Sequence, residues 1–212
     1  MTSTQTLTLS EASYVLNRSA TTLNKAVDTG VIRARQRKVG NAVQRVLGPA
    51  ELRFLRLADE LDRDLTPAGR RRLYEALRKL SADTHMVKLG GLDLDLARID
   101  SDLKDRLERL NHIRLWVDRG KPQSEALIRE TDVPVHLIAA LARGQTVDEI
   151  LVDYPSLNRV QVEAAIEYAK AYPKRGRPYA TRSLKRTLAG MADLGVFDAA
   201  DSAEETAPRK IP

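Results

Sequence analysis

The chain has no cysteine among its 212 residues. Neither a disulfide framework nor a thiolate metal site is possible, and a reducing compartment suits it. No apolar run approaches the ~20 residues that span a bilayer. Neither a phosphate-cradling loop nor a dinucleotide-binding glycine pattern is present. The histidines, His85, His112 and His136, lie far apart and lack a glutamate at metalloprotease spacing, so packing or surface roles suit them better than metal ligation. Asp93, Asp95, Asp100 and Asp102 cluster, but without the glycine and final glutamate of a calcium loop. Asp93 and Asp95 alternate with leucines, which reads as the solvated face of a strand. No nucleophile and base can be paired. The expectation is therefore a protein with no catalysis and no cofactor. Met1 to Ser10 is threonine-rich and uncharged, unlike a secretory leader, so a cytoplasmic location is expected.

What remains is an ordinary globular composition, 42% hydrophobic and 30% charged, in a chain long enough for one large domain or two small ones. The formal net charge is +6, which favours a polyanionic partner. Placement says more than the total. From Arg18 to Arg56 the cations Arg18, Lys25, Arg33, Arg35, Arg37, Lys38, Arg45, Arg53 and Arg56 are opposed only by Asp28 and Glu51. A second stretch, Lys170 to Arg186, contains no acid.

Ser10 is a candidate N-cap for a short helix burying Ala12, Val15 and Leu16. Asn17 and Arg18 interrupt the pattern, and asparagine tolerates the left-handed backbone of a tight turn. Ser19 is placed to cap a second helix with Leu23, Ala26 and Val27 on its apolar face, stopping at Gly30. Two short amphipathic helices joined so closely match a helix-turn-helix. The outward face of the second carries Ser19, Thr21, Thr22, Asn24 and Lys25, groups suited to base edges and phosphates. Val31 to Val39 and Ala42 to Leu47 read as strands about a Gly40-Asn41 hairpin, with Arg33, Arg35, Arg37, Lys38, Asn41 and Arg45 on the exposed side. A basic hairpin of this kind suits a wing that reaches backbone phosphates or the minor groove. Gly48-Pro49 breaks the strand, and a helix resumes from Ala50 to Leu61.

This order resembles the MerR/excisionase-like winged helix-turn-helix family over about Leu7 to Leu61. Leu9-Ser10-Glu11-Ala12 opening the first helix and Val27-Asp28-Thr29-Gly30-Val31-Ile32 leading into the wing carry the resemblance. The plainer alternative is a small helical domain whose cations are merely solvated.

Further on, Thr66-Pro67 is a cap followed by proline at the first helical position. Leu73, Leu77 and Leu80 share one face of the helix that follows, whose Arg70-Arg71-Arg72 triplet suits either phosphate contact or, the favoured reading, a solvated face. Val87 and Leu89, then Leu92 and Leu94, flank Gly90-Gly91 as a hairpin, with Leu89 opposite Leu92 and Val87 opposite Leu94. A helix from Ser101 to Val117 has the stripe Leu103, Leu107, Leu110, Ile113 and Val117. That stripe is either a homodimer contact or ordinary core. Dimerisation is expected on separate grounds, since helix-turn-helix proteins commonly need two half-sites.

From Thr131 three compact helices follow. Pro134 opens one carrying Leu137, Ile138 and Leu141, which stops at Gly144. Thr146 and Glu149 form a capping box, and Asn158 with Gln161 a second. The last helix carries Val162, Ala165, Ile166 and Ala169 and stops at Pro173. Thr131-Asp132-Val133-Pro134-Val135, Gly144 to Leu151, Asp153-Tyr154-Pro155-Ser156-Leu157 and Glu163 to Ala169 together resemble the antitoxin-associated domain-of-unknown-function family 433. The resemblance runs from about Val117 to Tyr172. Glu130-Thr131-Asp132 replaces the glycine-and-arginine-rich entry usual there. It implies a trihelical, helix-turn-helix-like module that often accompanies toxins of PIN-like ribonuclease fold. A second DNA reader is disfavoured, because Glu163 and Glu167 would face phosphates; a packing or dimerisation module is the expectation.

Beyond Pro173 come Lys174-Arg175-Gly176-Arg177-Pro178-Tyr179 and then Arg182, Lys185 and Arg186. Leu184, Leu188, Met191, Leu194 and Phe197 recur at helical spacing, while Asp198 to Pro212 reads as disordered. A basic linker and an amphipathic helix suit folding onto a partner. Arg175 and Arg177 are the candidates to neutralise a nuclease's acidic metal site. Tyr179, Leu184, Leu188 and Met191 would complete the toxin-binding set. The alternative is a helix packed on its own domain. The expected fold is mainly α, a winged helix-turn-helix plus a C-terminal trihelical module with two short β-hairpins. Its segments are residues 1–62, 63–118, 119–173 and 174–212. The expected function is that of a VapB-like type II antitoxin that binds promoter DNA as a homodimer and neutralises a ribonuclease toxin. A stand-alone regulator and an excisionase-like architectural protein, which would bend DNA, are the alternatives.

Overall fold

The computed structural model describes residues 5–39, 42–61, 64–81, 83–119, 125–174 and 176–194. The chain is mainly helical, with short antiparallel strand pairs. It opens on a strand of two residues, β1 (Leu7–Thr8), and then α1 (Leu9–Leu16). The cap of α1 is Thr8, not Ser10. Its hydroxyl accepts from Glu11 N, while its own N–H donates to the Glu11 carboxylate at 2.8 Å. Both residues are cap-competent, and the glutamate at N3 decides between them. Asn17 takes the left-handed conformation, φ 52°, that the turn requires. Ser19 then caps α2 (Ala20–Asp28), and Gly30 follows at φ 72°.

The next strand, β2 (Arg35–Val39), begins later than the run from Val31 suggests. Ile32 turns inward instead, 1% exposed, and its N–H donates to Ala26 O. β2 pairs with β3 (Ala42–Leu47), placing Arg35 opposite Val46 and Arg37 opposite Gln44. β1 adds to the other edge of β3, Leu7 opposite Leu47. α3 (Pro49–Glu60) and α4 (Pro67–Lys79) follow, α4 capped by Thr66 with proline at its first position. β4 (Met86–Leu89) and β5 (Leu92–Asp95) form the expected hairpin with the expected register. α5 (Ala97–Leu115) starts one turn earlier than its leucine stripe indicates.

Leu7, Leu23, Phe54, Leu73 and Leu96 share one apolar interior with Leu110. The expected boundary at residues 62/63 thus crosses a single core. Leu103, Leu110, Ile113 and Val117 are buried within the chain, and Leu107 packs against the same interior. The stripe of α5 is therefore intramolecular core and not a dimer seam; each such side chain stabilises the fold by roughly 1.5–3 kcal/mol.

Beyond α5, β6 (Val117–Asp118) pairs with β7 (Leu127–Ile128), a further strand pair that periodicity did not reveal. α6 (Val135–Leu141), α7 (Val147–Asp153) and α8 (Arg159–Ala171) follow, the last two with the expected capping boxes. They enclose a second core around Ile128, Ile138, Ile150 and Val162. α9 (Leu184–Asp193) buries none of its residues. No helix among the described residues is long and apolar enough to cross a membrane.

Candidate nucleic-acid interface

α1, the tight turn and α2 place one polar face outward. Thr21, Thr22 and Lys25 are exposed on it. Two of its groups are already engaged, since Ser19 caps Thr22 N and the two hydroxyls bond each other at 2.8 Å. Asn24 donates to Ala20 O, which leaves its carbonyl oxygen and one N–H. On the adjacent hairpin Arg35, Arg37 and Lys38 are exposed. Together with Lys25 they have no acidic partner among the described residues. Arg45 and Arg33, expected beside them, are paired: Arg45 with Asp28 at 2.6 Å, Arg33 with Glu75 at 3.7 Å. Such exposed pairs contribute about 0–1 kcal/mol, so either guanidinium can exchange its partner. Asn41 lies outside the described residues.

Beside this face runs a groove of about 580 Å³, bounded by the start of α1, by Ala20 and Asn24, by Arg37, Gln44 and Arg45, and by Arg119 and Tyr172. One wall is a buried polar knot that joins α1 to the C-terminal module. Glu11, 5% exposed, accepts from Tyr172 Oη at 2.6 Å and from Arg114 Nη2 at 2.7 Å, besides the Thr8 N–H. Burial alone would raise its pKa. The Tyr172 hydroxyl, the Thr8 amide and Arg114 together outweigh burial and hold the carboxyl below its usual range. The Tyr172 hydroxyl is pushed up to about 12, by burial first and then by Glu11. Arg119 stacks over Tyr172, 4.3 Å from the ring centroid. A second tie runs from Tyr14 Oη to Glu167 at 2.9 Å. Glu167 thus faces α1, which agrees with reading α8 as a packing helix.

Asp100 and Asp102 of α5 are engaged by neighbouring side chains. Asp100 pairs with Arg53 and is hydrogen-bonded to His85, each at 2.6 Å, and Asp102 pairs with Arg56 and Arg106. Among the described residues no group of His, Asp or Glu is arranged to hold a metal.

The chain after Pro173 returns along the C-terminal module as a strap. Lys174 donates to Glu125 at 2.7 Å and lies 3.6 Å over the Tyr179 ring, whose hydroxyl also bonds Glu125. The Thr181 carbonyl rests against Gly144, where a Cβ would meet it at 2.8 Å. Ser183 caps α9 and donates to Asp153 at 2.7 Å; Arg186 reaches Asp153 and Glu149, each at 3.0 Å. Tyr179, expected as a toxin contact, and Arg186 are thus engaged by the chain's own module. Leu184, Leu188, Met191 and Leu194 are 74%, 45%, 42% and 81% exposed. Arg177 is exposed without an acidic partner among the described residues. Arg175 and Phe197 lie outside the described residues.

Sequence reasoning missed Glu11, Arg119 and Tyr172. Thr8-x-x-Glu11 was a legible capping signal for the first; no local pattern marks the other two.

Fold and surface define a mainly helical protein in which two short helices joined by a tight turn precede a basic hairpin, and a capped three-helix module follows later in the chain. Residues 117–169, the module itself, match the family described as protein of unknown function (DUF433). No curated protein and no solved structure matches the chain.

Proposed function

We propose that this chain is a DNA-binding regulator of the antitoxin kind. Its N-terminal winged helix-turn-helix would bind promoter DNA as a homodimer, and its tail would hold a PIN-like ribonuclease toxin. The observation that carries the DNA half is the row of exposed cations without acidic partners, Lys25, Arg35, Arg37 and Lys38, around two short helices and a hairpin. Cations that neutralise phosphates release the counterions condensed on the DNA, and a cation already paired with a carboxylate must first give up that partner. The toxin half is supported by α9, whose apolar side chains face solvent while its cap Ser183 and its Arg186 are fastened to the module. Arg177 lies upstream on the strap, where bidentate contact with a nuclease's carboxylates is geometrically open.

The test is affinity purification of the full chain and of a version ending at Pro173, with mass spectrometry of what co-purifies and duplex binding measured on both. A small nuclease recovered with the full chain alone supports the reading. DNA binding by both forms with no partner for either favours a stand-alone regulator. The anchoring of Arg186 and Ser183 on the chain's own module is the observation that keeps that second reading alive.

A further inference from the structure

The groove beside α2 is a prolongation of the reading face and not a separate pocket. Asn24 belongs both to the outward face of α2 and to the groove, and Arg37 belongs both to the cationic row of β2 and to the groove. Its far wall is made by Arg119, Tyr172 and Pro173, from the C-terminal module. Three guanidinium groups, of Arg37, Arg45 and Arg119, line it against one carboxylate, Glu11. That carboxylate is spent: its oxygens accept from Tyr172, Arg114 and Thr8, and Arg114 balances its charge. Arg119 approaches it only at 4.0 Å and is half exposed. It lies over the Tyr172 ring and is also hydrogen-bonded to the Tyr168 side chain; a guanidinium carries five N–H donors, so others remain for a ligand. Asp28 opposes Arg45 through an exposed pair, and Arg37 has no acidic partner among the described residues.

Small-molecule sites are mostly apolar with a few polar groups. Arginine, serine, asparagine and glutamine along an open trough are instead the set that proteins use on phosphate and sugar. We propose that one strand of duplex DNA runs through this groove and that Arg119 holds a phosphate there, extending the footprint from the hairpin onto the C-terminal module. The proposal rests on the DNA-binding reading above and names a contact that the helix-turn-helix pattern does not contain.

The experiment uses the full chain and a labelled mixed-sequence duplex, because phosphate contacts are sequence-independent. Affinity is measured across a salt series for the wild type, Arg37→Gln, Arg119→Gln and Arg119→Lys. Arg119→Gln should weaken binding and make the salt slope shallower by about one unit, and Arg119→Lys should restore most of the slope. If Arg37→Gln flattens the slope and Arg119→Gln does not, this inference is overturned and the DNA-binding reading stands. If neither changes it, both fall. Should Arg119→Gln fail to fold, phenylglyoxal footprinting of the wild type decides. Arg119 and Arg37 should be protected by the duplex while Arg98, outside the groove, stays reactive. Protection of Arg37 without Arg119 overturns the proposal.

Discussion

Replacing Glu11 with alanine removes the centre of the knot that ties α1 to α5 and α8. Arg114 then loses its carboxylate at a place where only 24% of its side chain meets solvent. The Tyr172 hydroxyl and the Thr8 N–H lose their acceptor as well. Removing one member of a buried ion pair costs roughly 3–5 kcal/mol, because the remaining charge is stranded. Arg114 keeps bonds to Asn111 and Tyr172, which puts the expected loss near the lower bound, about 3 kcal/mol. For a chain of this size, that corresponds to a fall in Tm of about 6–12 °C. Glu11→Gln keeps the volume and one acceptor, and should fall between.

The same residue predicts a pH dependence. The folded pKa of Glu11 lies below its ordinary value, so its contribution is fully present above the unfolded pKa. It is lost as pH falls through the folded one. Urea unfolding followed from neutral into acid should show this limb in the wild type and lack it in Glu11→Gln. A loss below about 1 kcal/mol for Glu11→Ala, the level of an exposed pair, would refute the claim that the knot joins α1 to the C-terminal module.

Lys25→Ala and Arg37→Ala should each weaken duplex binding, and Arg37→Ala should lower the salt slope by about one unit in a titration; unchanged affinity in both would sink the assignment of the reading face. Leu188→Asp should change stability by no more than about 0.5 kcal/mol, since the side chain is a surface one, while abolishing recovery of a partner in a pull-down. Retained capture would remove α9 from the binding surface. Gly144→Ala should push the strap off the module, because the new Cβ would meet the Thr181 carbonyl at 2.8 Å. Limited proteolysis between Pro178 and Ser183 should then quicken, and an unchanged rate would contradict that packing.

Caps were legible because they are satisfied within three residues. Ser19, Thr66, Thr146 with Glu149, and Asn158 with Gln161 all sit where sequence places them. The Gly90-Gly91 hairpin was legible for the same local reason, with Gly90 at φ 65°. The two-residue strands β1, β6 and β7 were not, since two residues hold no period. The partner of a cation is invisible in sequence. Arg37, Arg45 and Arg186 read alike, yet the first is without an acidic partner among the described residues, the second pairs with Asp28, and the third is fastened to Glu149 and Asp153. Likewise the knot joins Glu11 to Arg114, Arg119 and Tyr172, which only tertiary folding brings to it.

In the role proposed for it, α9 would be formed before its partner arrives. Ten residues are too few for a helix to be stable alone, since isolated helices below about 12–15 residues are marginal in water, and none of these is buried. What holds it is confined to its first turn. Ser183 caps it from a buried position, and Arg186 reaches two carboxylates of α7. Those contacts are polar and occupy one side, so the opposite side, Leu184, Leu188, Met191 and Leu194, stays in water. A partner that buries this face gains its apolar area without first ordering the backbone beneath it, a cost that a disordered tail would meet on binding. Breaking the cap and the Arg186 clamp should therefore weaken capture without touching any side chain of the apolar face, which separates a preorganised helix from one that folds only on its partner.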